Sequence, residues 1–248
     1  MKNSMISLQS VSLLHYPSRC NNNQAIIISP SSAGYYAEKK EAWGDAKSHI
    51  DFFCDRLAEK YHVFYLILPG QDPMKQDTYS YDSSVNAITE AMFHIVCLQH
   101  KGECLKLKGA MGMCTGGALL ADSFMSHVKF SQIPLVLYSS AAWVGWSVPK
   151  LQDRFTSKYP HVRLDRESLL SAPMPGDVIK NYKGPILQIL VSSIDYPLGG
   201  RPGRGGQEEL QGLNESMHTV LFKEMSDVPV ETSLEYQPMM RTIFEFFD

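Results

Sequence analysis

What is missing from the sequence narrows its function first. No apolar run approaches the roughly 20 residues that a membrane-spanning helix needs. No block of lysine or arginine stands anywhere, and the formal net charge is only -3, so the electrostatic footprint of a nucleic-acid or anionic-membrane partner is lacking. The five cysteines (Cys20, Cys54, Cys97, Cys104 and Cys114) are odd in number, scattered and without a C-x-x-C pair, which argues against a disulfide framework and a zinc site. There is no His-x-Glu-x-x-His cluster, no Gly-x-Gly-x-x-Gly fingerprint and no Walker lysine, so neither a metal nor a cofactor is expected. Met1–Ser10 lacks the apolar core of a secretory signal, and a cytoplasmic location is the expectation. No histidine follows His218.

What is present is ordinary globular material. The 248 residues are 44% hydrophobic and 20% charged, enough for one large domain spanning 1–248 with a substantial core. Gln24–Ser29 is a short apolar run that opens into Pro30-Ser-Ser-Ala-Gly34, the pattern of a buried parallel strand ending in a loop. Residues 5–16 supply an edge hairpin strand. Residues 38–61 carry Trp43, Ala46, Ile50, Phe53, Leu57 and Ala58 at helical spacing. A second buried strand, 63–68, is closed by Pro69-Gly70, and a polar loop runs over 71–81. A helix is expected over 83–99, where Val85, Ile88, Met92, Ile95 and Val96 share a face.

Further strands are predicted over 134–139, 184–193 and 218–224, with a closing helix over 237–247. Strands alternating with helices imply a doubly wound, mostly parallel sheet, because parallel neighbours need crossover connections. Residues 143–183 are too long for one plain crossover and are expected to form a small lid. Gly199–Gly206 is a glycine-rich loop.

The most informative stretch is Leu105 to Ala121, which places Cys114 between Gly112 and Gly116 where a strand-like segment meets a helix-like one. A sharp strand-to-helix turn strains its central residue and brings neighbouring backbone very close. It also lifts the thiol toward a helix N-terminus, where unpaired N–H groups favour thiolate. The alternative is that Cys114 is simply a small buried apolar residue in a turn.

This Gly-Met-Cys-Thr-Gly-Gly segment resembles the nucleophile elbow of the α/β hydrolases, with cysteine in place of serine. Within that superfamily it is most similar to the cysteine lipase box of polyhydroxyalkanoate synthases, and dienelactone hydrolases also use cysteine there. The resemblance implies an α/β-hydrolase fold. It further implies that Cys114 is the nucleophile and that the N–H groups of Thr115 and of Ser31 or Ser32 form the oxyanion hole. Pro30 stands where the family's oxyanion loop carries glycine.

By the same resemblance the acid follows the strand after the lid, where Asp195 stands; Asp195 is equally an Asp-x-Pro turn residue. The family's histidine belongs after the last strand, and Met225–Glu231 contains none. His218 is the remaining candidate base, although it begins its strand and so falls at the wrong end of the sheet. His161 and His15 are further rings that could approach the pocket. His49, His62, His94, His100 and His127 read as surface or satisfied polar residues.

A thiol needs a base less than a hydroxyl does, because its unperturbed pKa is only about 8.5. The expected activity is therefore acyl transfer, of thioesterase, acyltransferase or cyclase type, on a small-molecule ester or thioester in small-molecule biosynthesis. The substrate would be carried on coenzyme A or a carrier protein, as the resemblance implies. Trp43, Trp143 and Trp146 would suit an apolar or aromatic substrate. The competing expectation is a non-catalytic hydrolase-like binding protein, to which the absent histidine points; a third is plain hydrolysis with His218 as base.

Overall fold

The computed structural model describes residues 3–32, 34, 49–138, 140, 149–191, 210, 212–222 and 236–248. Among these, eight strands form one mixed sheet: β1 (Ser4–Ser7), β2 (Ser12–Tyr16), β3 (Gln24–Ser29), β4 (His62–Ile67), β7 (Lys106–Met113), β8 (Leu135–Tyr138), β9 (Ile186–Val191) and β10 (Met217–Phe222). Their spatial order is β1-β2-β4-β3-β7-β8-β9-β10. β1 and β2 pair antiparallel, β2 runs antiparallel to β4, and every pairing from β4 to β10 is parallel. A separate hairpin of β5 (Gln99–His100) and β6 (Glu103–Cys104) precedes β7 and was not expected from the pattern, being only two residues per strand.

Alternate residues of the inner strands enter two different cores, as a sheet covered on both faces requires. Ala25 and Ile27 of β3 and Phe64 and Leu66 of β4 belong to one. Ile26, Ile28, Val63, Tyr65 and Ile67 belong to the other. The first face is covered by helices α2 (Tyr81–Cys97) and α3 (Gly116–Met125), and by the described part of the expected lid, which folds as α4 (Pro149–Lys158), α5 (Arg166–Leu170) and α6 (Pro175–Asn181). The second face is covered by α1 (His49–Leu57) and α7 (Tyr236–Phe247).

Helix α2 begins two residues before the expected point because Ser80 and Ser83 form a reciprocal cap, each side chain accepting from the other's backbone N–H. Of the expected helix over 38–61, residues 38–48 lie outside the described residues, as do Trp43, Trp143, Trp146 and the loop 199–206.

Candidate functional site

β7 occupies the middle of the sheet, and its end runs directly into α3 through Cys114 and Thr115. Cys114 adopts φ +52°, in the left-handed region that a side-chain-bearing residue rarely occupies. The cost is held in place by close approach on either side. A Cβ on Gly112 would collide with the backbone of Gly116 and Gly117, and one on Gly116 would meet the Ser29 and Pro30 carbonyl oxygens at the end of β3. The Cys114 N–H donates to the Tyr138 carbonyl of β8 at 3.1 Å, tying the turn to the neighbouring strand. The thiol-bearing residue itself is half-buried, in contrast to Cys54, which is fully buried with its thiol pKa driven up mainly by that burial.

Around this turn the chain gathers hydroxyl groups. The Ser32 and Thr115 hydroxyls lie 2.9 Å apart in a hydrogen bond, joining the loop after β3 to the start of α3. The Tyr79 phenol reaches both, with Ser84 alongside; burial pushes its pKa up, and the nearby Cys114 sulfur adds to that while the hydroxyls oppose it. Tyr79, Ser32 and Thr115 are all buried. Gln71, fully buried, donates from Nε2 to the carbonyls of Ser31 (2.9 Å) and Ser32 (3.2 Å) and accepts from the Leu68 N–H through Oε1. It thereby pins the loop expected to supply an oxyanion donor.

No family model matches the sequence, and no curated protein matches it. Solved structures do. DcsB, solved in complex with its substrate analogue, is similar with a TM-score of 0.67 at 10% identity over 99% of each chain. Est1E from Butyrivibrio proteoclasticus gives 0.63 at 10% identity over 98% of each chain. The enol-lactonase from Burkholderia xenovorans LB400 gives 0.57 at 13% identity, covering 98% of this chain and 99% of that one. With a mostly parallel sheet and its central strand-turn-helix already described, this likeness settles the architecture. The chain has the α/β-hydrolase fold.

Within that fold the structure brings together three of the expected residues, Cys114, Thr115 and Ser32, with Ser31 next in chain. It does not bring His218 to them. His218 is exposed on the edge strand β10, pairs with Leu187, and through Val136 lies level with Met111. It therefore sits below Cys114 in register and three strands to the side, about 14 Å at ordinary strand spacing. Asp195 and the segment 223–235 lie outside the described residues.

His62, expected at the surface, is only 4% exposed, because the β5–β6 hairpin brings His100 edge-on against it and His15 bonds it across β2 and β4 at 3.1 Å. Tyr79 and Gln71 were missed. Their only trace in the sequence is an aromatic ring and an amide inside an otherwise polar loop.

Proposed function

We propose that the protein is an acyl-transfer enzyme in which Cys114 attacks an ester or thioester carbonyl. One observation carries the proposal: a cysteine held at positive φ at the carboxyl end of the central strand, where ligands of open α/β sheets bind. In the first step the Cys114 thiolate adds to the carbonyl carbon, and the developing oxyanion is received by the Thr115 N–H and by a Ser31 or Ser32 N–H. Collapse breaks the carbonyl bond to the leaving oxygen or sulfur, which departs with the proton that the Cys114 thiol gave up on ionising and leaves a thioester on Cys114. An acceptor nucleophile then takes the acyl group, loses its own proton and restores the thiol. Asp195 supports whatever base serves these proton transfers.

Transfer or cyclisation is favoured over hydrolysis, because activating water demands a positioned base more strongly than a thiolate does. A coenzyme A or carrier-protein thioester is the substrate class this chemistry suits. Treatment of the purified protein with S-phenyl thioacetate is expected to give a burst of thiophenol and an acetyl mass increase, both abolished by Cys114→Ala. Absence of any adduct across a panel of esters and thioesters would instead support a non-catalytic, ligand-binding protein. The separation of His218 from Cys114 is the observation on that side.

A further inference from the structure

The segment between β8 and β9 docks onto the loop between β4 and α2 through a short backbone ladder. The Tyr79 N–H donates to the Arg163 carbonyl at 2.6 Å, the Asp165 N–H donates to the Tyr79 carbonyl at 2.9 Å, and the Arg163 N–H donates to the Gly70 carbonyl at 3.1 Å. Tyr79 and Leu164 thus form a parallel bridge. The Tyr79 side chain is buried beside the bonded hydroxyl pair of Ser32 and Thr115 and near Cys114. One residue therefore touches the covering segment with its main chain and both halves of the expected oxyanion hole with its side chain.

We propose that Tyr79 is a positioning residue that couples docking of the 149–183 segment to the geometry of the oxyanion hole. This rests on the acyl-transfer proposal above. The Ser32 and Thr115 backbones belong to different elements, the loop after β3 and the start of α3. The buried Tyr79 phenol is set against both side chains, which are themselves bonded at 2.9 Å, so it bears on their separation and with it on the spacing of the N–H donors. Small displacements of such donors cost rate in the charged transition state and little in ground-state binding. Alkylation of a thiol by iodoacetamide passes through no oxyanion, so it reports thiol reactivity without the hole.

The test compares Cys114 acylation by S-phenyl thioacetate with Cys114 alkylation by iodoacetamide in the wild type, Tyr79→Phe, Ser32→Ala and the double variant. Tyr79→Phe keeps the ring and the backbone ladder and removes only the hydroxyl. The expected result is a fall of about tenfold in the saturating acylation rate, the scale of one positioning hydrogen bond. The half-saturating concentration should stay within about twofold and alkylation should be unchanged. The double variant should be no slower than the product of the single losses, and close to the slower single one, because both changes break one contact.

Equal acylation in Tyr79→Phe overturns the proposal. So does an equal slowing of alkylation, which would place the effect on the thiol. Should Tyr79→Phe fail to fold, Thr115→Val removes the other partner of the same contact and carries the same two outcomes. A wild type that is alkylated at Cys114 yet never acylated removes the acyl-transfer proposal itself, and this one with it.

Discussion

At the carboxyl ends of β3 and β7, the chain collects a half-buried thiol and three hydroxyls around a left-handed turn, whereas at the amino ends of β4 and β7 it collects imidazoles. There His15 stacks on Phe64 with ring centroids 4.4 Å apart, bonds His62 at 3.1 Å, and leaves His62 edge-on to His100 at 4.7 Å. The imidazoles serve as flat packing groups in the closed end of the sheet. The groups suited to acyl chemistry lie at the open end, where parallel strands feed into loops and helix N-termini. Possession of histidine is thus distinct from possession of a base: His62 and His218 lie in the amino-end half of parallel strands, and His15 and His100 pack against His62 at that same end.

The largest expected effect strikes the open end. Gly116→Ala puts a methyl group against the Ser29 and Pro30 carbonyls, backbone atoms that cannot swing aside, so a loss of about 3 kcal/mol or more is expected by analogy with overpacked cores. A urea midpoint unchanged from the wild type would show that the β3–β7–α3 junction is looser than its geometry, and the contrast between the two ends would weaken.

The closed end is expected to respond to pH. Burial first, then His62 and His100, lower the His15 pKa to about 4; burial and His100 lower that of His62, opposed by its interaction with the Asn22 backbone, which favours the protonated ring as donor. Unfolded histidines titrate near 6.5, so below that pH the unfolded state binds protons that the native pair refuses. The contribution of this pair should be flat above about pH 6.5 and be lost progressively as pH drops toward 4. His15→Gln should reduce that slope in thermal melts taken across the range, while Cys114 acylation at fixed pH stays unchanged. A slope unaltered by the substitution would place the titration elsewhere.

A smaller effect should come from the strained turn. Cys114→Gly relieves a positive φ that costs a side-chain-bearing residue about 1 kcal/mol, so the variant should be more stable by roughly that amount while losing all adduct formation. Loss of stability instead would mean that the thiol packs better than its half-exposed setting implies.

How much of this was legible follows from the range of each signal. The elbow was legible because Gly112, Cys114 and Gly116 are local in sequence: the approach of Gly112 to Gly116 and Gly117 lies within one turn, and the remote contact of Gly116 with Ser29 and Pro30 still shows as a glycine in that same short run. The starts of β3, β4, β8 and β9 were legible within two residues, since burial on both faces leaves continuous apolar runs such as Ala25–Ile28. The burial of His62 was not, because it depends on a hairpin of two-residue strands and on a partner 47 residues away. Nor were Gln71 and Tyr79, whose partners Ser31, Ser32 and Thr115 are remote along the chain and leave no periodicity to read.

The smallest expected effect is that of His218→Ala. Its ring is exposed on the edge strand, level with Met111 and not with Cys114, and an exposed substitution away from caps and cores changes stability by less than about 0.5 kcal/mol. If the chemistry lies wholly at the carboxyl ends, both the thiophenol burst and the slower turnover after it should match the wild type. If His218→Ala left acylation intact but stopped turnover, the acyl-enzyme would depend on an imidazole that the sheet register places far below it. That would require the acylated protein to rearrange, because both register and strand order hold His218 away from Cys114, and the assignment of transfer over hydrolysis would reverse, since a base able to activate water would then be identified.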